Sequence, residues 1–269
     1  MKFETEFFNI GYLDTLSYRD TLVHRLDPRI KITVSFLFII LVVSFPKYEL
    51  SALVPFFFYP VFLLAAGNIP LHAISKKILF VSPFAVFIGI FNPLLDTDIL
   101  VTPFGIPVTG GWISFLSILM KFILTVSTAL LLIAVTSFPG ICEALERMKL
   151  PKIFVLQLLF LYRYIFVLLE VALKMLRARE ARSFGKKGKE IKTFTKLISV
   201  LLVRSVERAE RIYQAMLSRG FRGEIRVAKR HRPGIADFLF AVTAVALFVL
   251  FRKVNIVYYV GETVSRHIR

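Results

Sequence analysis

Long apolar runs, separated by short polar breaks, fill positions 30 to 137 of the chain. A hydrocarbon core about 30 Å thick calls for roughly 20 mainly apolar residues in a helix rising about 1.5 Å per residue. Four runs meet or approach that length: 30–45, 50–67, 78–95 and 113–135. Asp27 directly before Pro28 predicts the start of the first helix, because the aspartate accepts from orphan backbone N–H groups and proline fits the first turn. A last run, 238–251, reaches spanning length only if it extends through 254–260.

The pattern changes after residue 137. Positions 152–176 are apolar enough to resemble a further span, yet they carry Lys152, Arg163, Glu170 and Lys174, and a crossing there would place the basic stretch that follows outside. The expectation is a long helix lying at or across the inner membrane surface, its apolar face against the other helices and its Arg and Lys snorkelling outward. Gly185 to Gly188, interleaved with lysines, predict a break. Beyond it Ile191, Phe194, Leu197, Ile198, Leu201, Leu202, Val206, Ala209, Tyr213 and Met216 recur at helical spacing. They predict an amphipathic helix ending near Ser218, with Arg204, Glu207, Arg208 and Arg211 on its wetter side. The expected fold is an all-α integral membrane protein with about five transmembrane helices and a cytoplasmic segment of long amphipathic helices. Its expected organisation is one membrane domain with a helical insertion: an N-terminal segment 1–29, a four-helix region 30–137, cytoplasmic or interfacial helices 138–233, and a C-terminal helix and tail 234–269.

Composition sharpens this picture. Of 269 residues, 57% are hydrophobic and the mean hydropathy is +0.71, more apolar surface than a water-soluble domain can bury. The formal charge is nevertheless +17, and residues 174–232 alone hold 18 Lys or Arg against 5 Asp or Glu. By the positive-inside rule Arg25, Arg29, Lys31, Lys76, Lys77, Arg147, Lys149 and Lys152 mark cytoplasmic positions. The 96–112 connection, with two Asp and no Lys or Arg, reads as outward-facing, as does the short connection at Pro46 and Lys47. Arg252, Lys253, Arg266 and Arg269 fit an outward C-terminus poorly. Residues 1–29 lack the apolar core of a cleaved targeting segment. The expected location is the bacterial or archaeal cell membrane, crossed several times.

Most chemistries lack their raw material here. Cys142 is the single cysteine, so neither an intrachain disulfide nor a thiolate cluster is expected. The nearest approach to a phosphate loop, Gly185-Lys186-Lys187-Gly188-Lys189, has the wrong spacing and no following Ser or Thr, so ATP hydrolysis by this chain is not expected. His24, His72, His231 and His267 are scattered outside the spans, and no metal or other cofactor is expected. Inside the first four spans Lys121 is the notable ionisable residue, read as a snorkelling cation or an interhelical partner. A membrane enzyme would need His, Asp or Glu clustered within the spans. A nucleic-acid partner is not expected either, because the basic block is interleaved with apolar helical stripes. A permease acting alone leaves the large cytoplasmic segment unexplained.

Two arginine motifs close the two cytoplasmic helices: Ala178-Arg179-Glu180-Ala181-Arg182-Ser183-Phe184-Gly185 and Ala215-Met216-Leu217-Ser218-Arg219-Gly220-Phe221-Arg222-Gly223. Small neighbours allow a helix tip into a tight groove, and the guanidinium fork can bond a carboxylate there in bidentate fashion. The candidate site is therefore Ala181, Arg182 and Ser183 with Ser218, Arg219 and Gly220, seconded by Arg179 and Arg222.

These motifs, together with Asp20-Thr21 and His24-Arg25-Leu26-Asp27-Pro28-Arg29-Ile30-Lys31, resemble the transmembrane T component of energy-coupling factor (ECF) transporters, in particular the cobalt-type CbiQ branch. The resemblance covers most of the chain. Its first motif usually reads Ala-Arg-Gly, so Ser183 departs from it and leaves both Arg182 and Arg179 open as the first coupling arginine. The resemblance implies a scaffold joining two cytoplasmic ATP-binding-cassette (ABC) ATPases to a substrate-binding membrane subunit. Helix tips bearing Arg182 and Arg219 would dock in the ATPases, and cobalt or nickel would be the cargo. A stand-alone permease or an intramembrane enzyme is the alternative.

Overall fold

The computed structural model describes residues 12–95, 99–101, 108–182, 190–222 and 234–253. Two short helices, α1 (Tyr12–Leu16) and α2 (Leu22–Arg25), precede α3 (Pro28–Val43). α3 starts where Asp27-Pro28 predicts: the Asp27 carboxylate accepts from the Arg29 N–H at 2.9 Å, and Pro28 sits where a missing N–H is harmless. The second apolar run is one helical stretch, Leu50–Ala66, as expected, made of α4 (Leu50–Leu53), a 3₁₀ turn (Val54–Phe57) and α5 (Phe58–Ala66) without a gap. Pro55 has no N–H to donate, and the helix tightens to 3₁₀ there without ending.

The third run begins earlier than expected, as α6 (Leu71–Gly89) with a further turn, α7 (Phe91–Leu95). The following connection carries a short antiparallel pair, β1 (Ile99–Val101) and β2 (Val108–Thr109), in register Ile99 to Thr109. α8 (Gly110–Val135), α9 (Phe138–Arg147), α10 (Lys152–Arg182), α11 (Glu190–Ser218) and α12 (Ile235–Lys253) complete the order. α12 starts at Ile235, three residues ahead of the apolar run; the expected extension through 254–260 lies outside the described residues, as does the break expected at 185–188. Among the described residues four helical stretches are long and apolar enough to cross a membrane: Leu71–Pro93, Gly110–Val135, Lys152–Arg182 and Ile235–Lys253. α3, at 16 residues, is shorter.

The chain divides into two compact units: Tyr12–Ile141 resuming at α12, and Cys142 through α11. In the first, α8 is the central helix, packing on α1 and on α3 to α7. Its buried face mixes Leu124, Leu131 and Val135 with small residues, Gly110, Gly111, Ser114, Ser117, Ser127, Thr128 and Ala134, which let neighbouring backbones approach closely. At Gly89 of α6 a methyl group would lie 2.8 Å from the ring of Phe115, so a larger residue at that crossing would force the ring to shift. Beside α8 an aromatic cluster joins α3, the second run and α12. Phe38 lies 4.8 Å from Tyr59 and 5.3 Å from Phe248 between ring centres, and Ser35 pairs with the Tyr59 hydroxyl at 2.9 Å. Phe58, Phe80, Phe84 and Phe87 point outward, as suits a lipid solvent.

Polar ties fix helix directions within this unit. At one end Lys31 of α3 donates to the carbonyl of Val135, the last residue of α8, and Asp237 of α12 accepts from the Asp27 N–H. At the other end Lys121 of α8 donates to the Phe45 carbonyl at 2.6 Å, while Arg252 of α12 donates to Ser44 Oγ and covers the Phe45 ring. α3 and α12 therefore run parallel, and α8 runs against both. Lys121 is an interhelical partner: it neutralises the negative carbonyl end of α3, which stops against the middle of α8.

In the second unit α10 and α11 pack on each other. α10 fully buries only Val155. Cys142 is buried, and burial pushes its thiol up to about 11, so it stays protonated at neutral pH.

Candidate functional site

Each arginine motif ends a long helix. α10 runs through Ala181 and Arg182, both exposed, while Arg179 one turn earlier is half-buried. Ser183 lies outside the described residues. α11 ends at Ser218, and Ser218, Arg219, Gly220 and Arg222 are exposed. Among the described residues no ion pair engages Arg182 or Arg219. Ion pairs on these helices run between neighbours one turn apart, Lys174 with Glu170 at 2.7 Å and Arg211 with Glu207 at 3.9 Å. Such exposed pairs contribute little to stability.

The local geometry assigns the small residues of the second motif to the helix end. The Phe221 N–H donates to the Met216 carbonyl at 3.0 Å and the Gly220 N–H to the Leu217 carbonyl at 2.9 Å, with Gly220 at φ +78°. This is a Schellman cap, in which a left-handed residue turns the chain back over the last open carbonyls. A Cβ on Gly220 would meet no atom within 4 Å, so glycine serves the backbone angle and not close packing. Ser218 is occupied too, its hydroxyl donating to the Gln214 carbonyl at 3.0 Å. Arg219 is left at the tip of a rigid turn. Gly220→Ala is expected to destabilise this tip by about 1 kcal/mol, and Gly220→Asn by less, because asparagine tolerates the left-handed region. Thermal unfolding of the purified chain in detergent checks this; an alanine variant as stable as the parent, with asparagine worse, would refute the capping role.

Between α10 and α11 lies a groove of about 500 Å³. Ile153, Leu156, Phe160, Tyr164, Val167 and Leu168 line it from α10, and Ala209, Ile212, Tyr213 and Met216 from α11. Phe221 closes it beyond the cap, and Gln157, Ser205 and Arg208 are its polar margin. Arg219 sits between two lining residues, Met216 and Phe221. Arg182 stands 14 residues beyond Leu168, roughly 21 Å further along the helix. The site therefore combines an apolar trough with two arginines, one at its rim and one remote.

The N-terminal motif builds a separate polar cluster in the other unit. Arg25 holds Asp20 through two bonds at 2.6 and 2.7 Å, and this pairing keeps the exposed Asp20 carboxyl below its ordinary range. Thr21 Oγ1 meets His24 Nδ1 at 2.7 Å, and partial burial disfavours the charged imidazole. Asp27, Lys31 and Asp237 are all buried. Asp237 was not among the residues the sequence singled out. The signal was an acidic side chain at the third position of an apolar helix, directly after Gly234, where a carboxylate caps the helix.

Comparison with known proteins fits this arrangement. The sequence profile of the cobalt transport protein family, CbiQ, matches residues 19–231, from the start of the N-terminal motif past the second arginine motif. An uncharacterized protein of Methanocaldococcus jannaschii is 31% identical over 245 residues, covering 86% of this chain and 83% of its own. An energy-coupling factor transporter transmembrane protein, EcfT, of Staphylococcus aureus is 29% identical over 252 residues, 86% of this chain and 93% of that one. The corresponding EcfT protein of Bacillus selenitireducens is 29% identical over 219 residues, 76% and 81% of the two chains. With several apolar helices of spanning length and a profile match over most of its length, this chain is a multi-pass membrane protein of the cobalt transport (CbiQ) family, of the ECF T-component type.

Proposed function

We propose that this chain is the coupling subunit of an ECF-type importer, linking cytoplasmic ABC-type ATPases to a substrate-binding membrane subunit. The observation that carries the reading is a pair of long amphipathic helices, each ending in an exposed arginine, with an apolar groove between them. An exposed, preorganised guanidinium suits a carboxylate in a partner's groove, and the exposure of Arg182 against half-buried Arg179 favours Arg182 as the first coupling arginine. The groove suits an apolar helix laid along it, which is what a membrane subunit offers. ATP would be hydrolysed in the partners, and the movement of their nucleotide-binding cleft would be passed through Arg182 and Arg219 to the helices. The proposed cargo is cobalt or nickel, as the family's description implies, and the substrate-binding subunit would select it.

Affinity purification of the full chain from its native membrane tests the reading. The expected result is co-purification of ABC-type ATPases and a second membrane subunit, with ATP hydrolysis present in the complex and absent from the isolated chain. ATP hydrolysis by the isolated chain, or metal uptake by vesicles containing it alone, would sink the proposal.

A further inference from the structure

Three buried charges meet where three helix ends converge. Asp237 is the third residue of α12, and its carboxylate accepts from two backbone N–H groups: Gly234 at the start of its own helix and Asp27, which caps α3, both at 2.7 Å. Lys31, one turn into α3, donates to the carbonyl of Val135 at the end of α8 at 2.8 Å and to that of His24 at 3.3 Å. Asp27, Lys31 and Asp237 are 2%, 3% and 6% exposed. Charges cannot be left unmatched at such depth, and here the signs match: Asp27 and Asp237 act on Lys31, and Arg29 approaches Asp27 at 3.9 Å. The helix dipoles agree as well, with carboxylates at two N-termini and an ammonium at a C-terminus.

The same atoms mark two special places along the chain. Val135 is the last residue of α8 before the chain leaves for α9, α10 and α11, and Gly234 is the first described residue on its return. Both ends of the inserted segment are thus fastened to α3. Asp14 adds a further tie at the departing end, accepting from the Phe138 N–H at 3.0 Å.

We infer that this cluster is a clasp through which displacement of the inserted helices reaches the spans, with Lys31 and Asp237 as its positioning residues. Ends that were free to swivel would absorb a rigid-body movement locally. Ends pinned to a single span pass it on to that span. The inference rests on the coupling function proposed above and adds the place where the movement enters the membrane region.

The test uses the complete complex in proteoliposomes, with ATP hydrolysis, substrate uptake and ATPase retention measured together. Asp237→Asn keeps one acceptor oxygen but turns an N–H donor toward the second backbone N–H. Lys31→Met keeps the apolar stem and loses the bond to Val135. Each is expected to retain its ATPases and hydrolyse ATP within about twofold of the parent, while uptake per ATP falls about tenfold, the scale of a lost charged hydrogen bond. Lys31→Arg, which can still donate to Val135, should recover at least about half of the loss. The paired Lys31→Met and Asp237→Asn variant removes opposite charges together, leaves less unpaired charge buried, and guards against simple misfolding. Uptake per ATP equal to the parent's overturns the clasp. So does a parallel fall of retention, hydrolysis and uptake, which is what a merely structural role produces. A parent chain that holds no ATPases fails the coupling reading itself, and the clasp with it, before any substitution is made.

Discussion

Replacing Arg182 and Arg219 together with alanine is expected to abolish coupling: uptake driven by ATP falls by more than about tenfold while the chain still inserts and folds. Both side chains are exposed and without an ion pair among the described residues, so their removal costs the isolated chain little. The effect arises in the complex. A guanidinium docked against a carboxylate in a partly buried groove leaves that carboxylate unpaired when it is removed, at a cost of about 2 to 5 kcal/mol per contact. At about 1.4 kcal/mol per factor of ten, even the lower bound weakens docking more than tenfold. Arg→Lys at either position should weaken coupling partly, because lysine keeps the charge and loses the planar fork. Neutralising Lys186, Lys187 or Lys189 should change it less, since those lysines lie in a Gly-punctuated stretch suited to water or headgroups. Assembly and uptake assays on the reconstituted complex separate these outcomes. A double arginine variant that couples normally while the lysine variants fail would overturn the arginine-tip mechanism.

A membrane-impermeant maleimide is expected to label Asp98→Cys and Lys253→Cys in intact cells, and to label Lys196→Cys only after permeabilisation. The argument is one of parity. Lys31 bonds Val135 and Asp27 bonds Asp237, so the chain leaves the spanning region at Val135 and resumes at α12 on the same face. The segment between must then cross the membrane an even number of times. α10 is long and apolar enough to cross once. Among the described residues no second crossing is available, because α11 carries Lys192, Lys196, Arg204, Glu207, Arg208, Glu210 and Arg211, and α9 has only 10 residues. α10 is therefore expected to stay on the face where α3 begins, which the cluster of Arg25, Arg29 and Lys31 makes cytoplasmic. The parallel course of α3 and α12 sends Lys253 to the outer face, against the charge rule for the C-terminal region. Cys142 gives little background, since its buried thiol is held protonated at neutral pH. Labelling of Lys196→Cys from outside intact cells would reverse this orientation.

The sequence by itself determined the solvent, the helical class and the arginine helix ends. Run length against bilayer thickness is a local property, as are the Asp27-Pro28 start and the stop enforced by Gly220, each acting within a few residues of itself. That the two arginine motifs sit at helix ends was likewise legible, through their recurrence. Proline at position 55 was visible too, but spanning helices tolerate proline where neighbours satisfy the freed carbonyl, so only the packed structure decided that the second run tightens to 3₁₀ there and continues as one helical stretch. The tertiary structure alone decided which ends meet. Asp237 finds the Asp27 N–H from 210 residues away, Lys31 finds Val135, and Lys121 finds the carbonyl of Phe45. None of these pairings has a sequence period or spacing, because a buried charge is satisfied by whichever helix end lies beside it. That adjacency exists only after the spans have packed. The groove between α10 and α11 is of the same kind: Ala209, Tyr213 and Met216 belong to the apolar stripe legible on α11, and only packing against Leu156, Phe160 and Tyr164 of α10 makes a trough of it.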